Sequence, residues 1–222
     1  MYRLTLALLT VAAAHAQLTA TLRTPAGRSP EVELRNDSQQ AVIAIALRMP
    51  AAEADAPPFL FFRDAAVDAA PLPLAQSQTY AVDIPIDRRR RPLYTAPIDT
   101  AALFADSSST GDPALVASLM LRRRNMLQAV ELARDLLAAA SKRNVPRAQL
   151  TKQFQQLADS LDHWYLPAEQ QVGRMVYQSI VGKLLNLPDQ RLGDPFPPTA
   201  FVTEELAALD RQSTTLMAAI PR

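Results

Sequence analysis

The chain has 222 residues, with 23 Lys+Arg against 22 Asp+Glu, five Gly, 18 Pro and no Cys. A formal net charge of +1 supplies no global field to draw it onto nucleic acid or an anionic membrane. The lack of cysteine excludes a thiol nucleophile, a thiolate metal site, a disulfide framework and a lipidated cysteine.

Residues 1–16 have the layout of a secretory signal peptide. Arg3 gives the positive start, Leu4 to Ala14 the apolar run, and Ala14-His15-Ala16 the small residues ahead of a cleavage point before Gln17. The run, about eleven residues, is too short to span a bilayer. Cleavage leaves about 206 residues, enough for one large domain or two small ones. It also removes Arg3, so the mature chain carries 22 basic and 22 acidic residues. No later apolar run is long enough for a transmembrane helix. The expected location is periplasmic or extracellular.

Residues 17–111 read as a β domain. Leu18, Ala20 and Leu22 alternate with polar neighbours, as do Val32 and Leu34 between Glu31 and Arg35. Asn36-Asp37-Ser38 fits an N-glycosylation pattern and, more simply, a turn. The apolar run Ala41 to Met49 follows, so the two strands on either side of that turn are expected to form an antiparallel hairpin. Phe59 to Phe62, Thr79 to Ile84 and Ile98 to Phe104 complete the strands, with Pro confined to turns and strand ends. Alternation places Phe59 and Phe61 on one face and Phe62 on the other, one of them open to solvent or covered by helices. Short strands at this spacing, with no helical pattern between them, predict an antiparallel immunoglobulin-like sandwich.

Residues 112–222 read as helical. Asp112-Pro113 is a helix start, Leu119, Met126, Val130, Ala133 and Leu137 form a stripe, and Asn144-Val145-Pro146 is a stop. Leu150, Phe154, Leu157, Leu161 and Trp164 stripe a second helix, and Val172, Val176, Ile180 and Leu184 a third. After the Pro-rich connector 187–198, Val202, Leu206, Leu209, Leu216 and Ile220 stripe a fourth. Short connections predict a bundle of three or four helices, and the fold class is α+β.

Arg88, Arg89, Arg90 and Arg91 are the candidate partner-binding residues. Four guanidinium groups in one loop suit a phosphate, an anionic polymer or an acidic partner face, although a solvated linker is the simpler reading. Arg122 to Arg124 form a second basic group, but successive helical residues point in different directions, so at most two can join the first. His163 follows Asp159 by one turn, which suits an oriented imidazole or, more simply, a helix-end charge. Glu131 and Asp135 share a helix face beside Arg134, a solvated charged face before an acid–base pair. Trp164-Tyr165 with Phe154 offers an aromatic platform or a piece of core. No catalytic nucleophile elbow, zinc-binding pair or glycine-rich phosphate loop occurs, and no cofactor or metal is expected.

The segment 104–112 carries oxygen side chains at Asp106, Ser108 and Thr110 before Gly111, like the start of a calcium loop. Its twelfth position is Ala117 and not Glu, so a strand-to-helix turn capped by Asp112 accounts for it better. Phe104, Asp106, Ser108, Gly111 and Asp112, with Arg122-Arg123-Arg124 downstream, resemble a segment of uncharacterised secreted bacterial proteins, with Ser107 standing where their pattern has Gly. The resemblance implies an exported leader, a sandwich and a helical tail, and no known activity.

The expected function is an exported, non-catalytic interaction or binding module of the bacterial cell envelope, partnered by an envelope protein or an anionic polymer. Two readings compete with it. One is a carboxylate-dependent hydrolase of envelope polymers, which requires Asp106, Asp112 and Glu131 to converge. The other is a structural subunit that self-associates through its helices.

Overall fold

The computed structural model describes residues 17–24, 29–68, 74–87, 93–163, 166–187 and 198–220. Residues 1–16, Arg88 to Arg91 and Trp164-Tyr165 lie outside them. The fold is α+β, with two antiparallel sheets followed by helices.

Strands β1 (Leu18–Arg23), β2 (Glu31–Asn36) and β5 (Thr79–Asp83) form one sheet in the order β1-β2-β5. Strands β3 (Val42–Met49), β4 (Phe59–Asp64), β6 (Asp99–Phe104) and β7 (Ser109–Gly111) form the other, in the order β4-β3-β6-β7. Alternation decides which side chains face inward. Val32 and Leu34 of β2 and Val82 of β5 meet Val42, Ile45 and Leu47 of β3 and Phe104 of β6 in one buried cluster shared by both sheets. Phe59 and Phe61 join it from the β4 side, against Tyr94 and Tyr80 at ring separations of 5.2 and 6.1 Å.

The expected hairpin across Asn36-Asp37-Ser38 does not form. β2 pairs with β1 and β5, whereas β3 pairs with β4 and β6. The patterns of the two strands explain the difference. β2 alternates Val32 and Leu34 with Glu31, Glu33 and Arg35, and so has one wet face; β3 is buried on both faces, from Ala44 through Leu47, and takes a central position in the other sheet. The turn therefore arches between sheets and is tied by a buried Asn36. Its Nδ2 donates to the carbonyls of Gln40 and Leu74, both at 2.8 Å, and its Oδ1 accepts from the Ser38 hydroxyl at 2.7 Å.

The segment after β6 corrects a second expectation. It is not a direct strand-to-helix turn, because a hairpin to the short β7 comes first. Ser107 N–H donates to the Phe104 carbonyl at 3.0 Å and Phe104 N–H to the Ser108 carbonyl at 2.9 Å, closing a three-residue loop. Ser107 occupies its left-handed position at φ 69°, where glycine fits without Cβ strain. Ser107→Gly should therefore raise stability by about 0.5–1 kcal/mol in urea denaturation, and an unchanged or lower midpoint contradicts this turn geometry.

Helix α1 (Pro113–Arg143) is about 46 Å long and belongs to both halves of the fold. Leu115 and Leu119 pack on the outer face of the second sheet, where Ala44, Ala46 and Ala101 leave room for a helix. Farther along, Met126, Val130, Ala133 and Leu137 enter the core formed with α2 (Arg147–Ser160), α4 (Arg174–Leu185) and α5 (Thr199–Ala219). Asn144 ends α1 in the left-handed conformation, φ 50° and ψ 49°. The expected third helix is two pieces, α3 (Ala168–Gln171) and α4, with Gly173 at the break. A Cβ on Gly173 would stand 2.7 Å from that of Ala129, so this close approach to α1 requires glycine. α5 runs antiparallel along α1, and α2 antiparallel along α4.

Candidate functional site

A highly connected polar cluster lies where β4, α1 and α5 meet. Asp64 closes β4 fully buried, and Arg123, 2% exposed, reaches it from α1 with two bonds, Nε to Oδ2 at 2.7 Å and Nη2 to Oδ1 at 3.1 Å. The third arm of the guanidinium, Nη1, donates to the Ala219 carbonyl in the last turn of α5. The Asp64 carboxylate also accepts from the Ala66 N–H at 2.9 Å. Asp68 folds back so that its Oδ2 accepts from the Asp64 N–H at 2.8 Å. Arg122 lies 3.5 Å from Asp68 and places its guanidinium 5.1 Å from the centroid of the Phe62 ring. The helix thus covers Phe62 while Phe59 and Phe61 serve the sheet core. Arg122 and Arg123 are consequently structural. Neither joins a surface cluster, and of the three only Arg124 is exposed.

A second cluster holds the start of α1. Arg48 bonds Asp99, its cross-strand partner in β6, through Nε at 2.9 Å and Nη2 at 2.8 Å, and reaches Asp112 Oδ2 at 3.0 Å. Asp112 caps the helix with its other oxygen, accepting from Ala114 N–H at 2.9 Å and Leu115 N–H at 3.0 Å. The Leu115 amide, with Arg48 also contributing, holds the Asp112 carboxyl below the usual carboxylate range. The bond to Asp99 foremost pushes the Arg48 guanidinium upward. In the hairpin loop the Ser108 hydroxyl, 2.6 Å away, lowers Asp106 in the same way.

These geometries decide the fate of the acidic trio. Asp106 bonds within its own loop and Asp112 is the cap of α1. Glu131 lies 19 residues farther along the same helix, about 28 Å away. Two carboxylates that far apart cannot flank one scissile bond, which needs roughly 5–10 Å. Asp135 bonds Arg134 at 3.2 Å, and Asp159 accepts from the Gln155 amide at 2.7 Å. His163 lies beyond the end of α2, and its carbonyl accepts from Leu166 N–H at 2.9 Å. Phe154 is core, stacked 6.3 Å from Tyr177. Among the described residues no group of three or more His, Asp or Glu is arranged to hold a metal, and no helix is long and apolar enough to cross a membrane.

The chain matches no known protein-family model, no curated protein and no solved structure. Function must be argued from its own surfaces.

Three surfaces stand out. The first is the outer edge of β4, which no strand among the described residues covers, and where Leu60 is 44% exposed. On its other side all six residues of the strand are matched, residue for residue, with Met49 to Ala44 of β3. The second is a hollow beside the start of β4, lined by Ala51, Ala52, Glu53, Asp87, Leu93 and Tyr94. Asp87 and Leu93 approach Arg88 to Arg91 from either side in sequence, so this is the described margin of the predicted cationic loop. The third comprises grooves between helices. One, between α4 and α5, contains the Lys183–Glu205 ion pair at 2.6 Å with Glu205 buried; the other lies between α2 and α4. The sequence points to strand edges in general and to the cationic run 88–91, with Phe59 to Phe62 marking the strand concerned; the helix grooves carry no such signal, because each joins residues far apart in the chain.

Proposed function

We propose that the protein is an exported, non-catalytic interaction module of the bacterial cell envelope, working through the free edge of β4. Its strand half is read as an immunoglobulin-like sandwich. Supporting this is the strand order, which in immunoglobulin lettering is A-B-E against C′-C-F-G, with the chain crossing from one sheet to the other after the second strand. The relationship to uncharacterised secreted bacterial proteins, and cleavage before Gln17, belong to the same proposal.

The observation that carries the reading is the composition of the open edge. β4 begins Phe-Leu-Phe-Phe, with no charge before Arg63 and no proline, and Leu60 points out to solvent. Edges of this kind are normally blunted by charge, shortened or covered, because their unpaired N–H and C=O groups accept another strand. Addition of a partner strand satisfies those groups and covers Leu60. At the far end of the strand, Asp64, Asp68, Arg122 and Arg123 hold it against α1 and α5. They make the edge a rigid platform.

In-cell crosslinking of the tagged protein in its own host, followed by affinity capture and mass spectrometry, tests the reading. One dominant envelope partner is expected, reduced about tenfold by Leu60→Lys, which places a charge on the edge. The captured chain should begin at Gln17. Replacing Arg88 to Arg91 by Ser in the same capture reports whether the cationic loop contributes. Recovery of only its own copies overturns the module in favour of self-assembly.

A further inference from the structure

We infer that the groove between α2 and α4 is a docking site for a segment of a partner protein that is apolar along one face and acidic at one end. The inference deepens the interaction-module reading and rests on it. The groove encloses about 750 Å³ and follows two antiparallel helices. From Arg147 to Asp159 it runs about 18 Å along α2, longer than a compact small molecule. Its floor is apolar at Ala148, Val181 and Leu185, and Leu185 is 61% exposed, the most open large hydrophobic side chain among the described residues.

Charge gives the groove a direction. Arg147 and Lys152 line it with no acid along α2 before Asp159, and Lys142 and Arg143 precede them in sequence without lining it. Among the described residues Lys142, Arg143 and Lys152 enter no ion pair, although all three are exposed. Arg147 is fixed at this end by its bond to the Leu185 carbonyl at 2.6 Å, and the start of α2 adds the positive pole of its dipole. Asp159 marks the opposite end. The Thr151 hydroxyl also lines the groove, buried and without a hydrogen-bond partner. A concave, directional, amphipathic slot of this length suits a helix laid in a groove better than it suits a flat lipid surface.

The test uses the purified full chain and a fluorescein-labelled, helix-forming peptide of about 16 residues, with Leu along one face and Glu in its first turns. Saturable anisotropy is expected, with affinity falling about tenfold or more in Lys152→Glu and, separately, in Leu185→Ser. A peptide with Lys in place of Glu should bind about tenfold more weakly. Absence of binding, or binding that survives both substitutions, overturns the docking site. Phosphatidylglycerol vesicles that bind the chain in place of the peptide, and lose it in Lys152→Glu, also overturn it and assign the cation to a membrane surface. Retention of the host partner by the groove variants would sink this site while leaving the interaction module standing.

Discussion

Asp64→Ala should lower folding stability by about 3–5 kcal/mol, because it strands the Arg123 guanidinium in a site from which water is excluded. Arg123 is 2% exposed, and its remaining partner would be the Ala219 carbonyl, which cannot neutralise a charge. For a domain with about 5–15 kcal/mol of total stability the loss is a large share. The effect should extend beyond β4, since the same guanidinium ties the sheet to α1 and to the end of α5. Replacing both partners, with Asp64→Leu and Arg123→Met, should recover most of the loss, because a buried pair and a well-packed apolar pair of similar volume differ little in free energy. Urea denaturation of the two single variants and the double variant, followed by circular dichroism, decides the matter. A single-variant loss below about 1 kcal/mol would mean that the pair is hydrated in solution.

Gly111→Ala should cost about 3 kcal/mol or more, through backbone geometry alone. Gly111 lies at φ 97°, and an added Cβ would stand 2.0 Å from the Thr100 carbonyl oxygen and 2.8 Å from the Ala101 Cα. Both atoms belong to β6, which pairs with β3 on one side and β7 on the other and has no freedom to retreat. The residue also aims Asp112, whose N–H donates to the Thr100 carbonyl at 2.8 Å and whose side chain caps α1. Strain at Gly111 therefore disturbs the point where the helix leaves the sheet. Gly182→Ala is the matched control in the same thermal and urea measurements. Nothing lies within 4 Å of its added Cβ, so the helix should gain up to about 1 kcal/mol. Equal responses of the two variants would contradict the close approach at Gly111.

Periodicity located most of the elements, because alternation and the helical repeat are imposed residue by residue. Thus Val32 and Leu34, Tyr80 and Val82, and the α1 stripe from Leu119 to Leu137 all face the interiors expected of them. Pairing is another matter. The Asn36-Asp37-Ser38 turn is short enough for a hairpin, yet β2 and β3 occupy different sheets; the continuous burial of Ala44 to Leu47, unlike the alternation in β2, was the available clue. Strand β7 has three residues and too little pattern to notice. The break at Gly173 is set by Ala129 on another helix, which no local signal encodes.

The sites were less legible than the fold. Asp64 and Arg123 are 59 residues apart, and helical geometry separates Arg122 to Arg124 without telling which of them are buried. The α2–α4 groove joins Lys152 to Leu185, two residues that share no motif. What could be read locally was Phe59 to Phe62, whose two faces divide as alternation requires, with Phe59 and Phe61 in the sheet core and Phe62 beneath α1 and Arg122.

The proposed strand addition is tested most directly by amide hydrogen exchange on the purified protein, with and without the partner recovered from its host. The account predicts slowed exchange concentrated in residues 59–64 when the partner is present, as the open edge gains a strand, and no such slowing in Leu60→Lys. Exchange in β4 that is the same with and without a bound partner would contradict it.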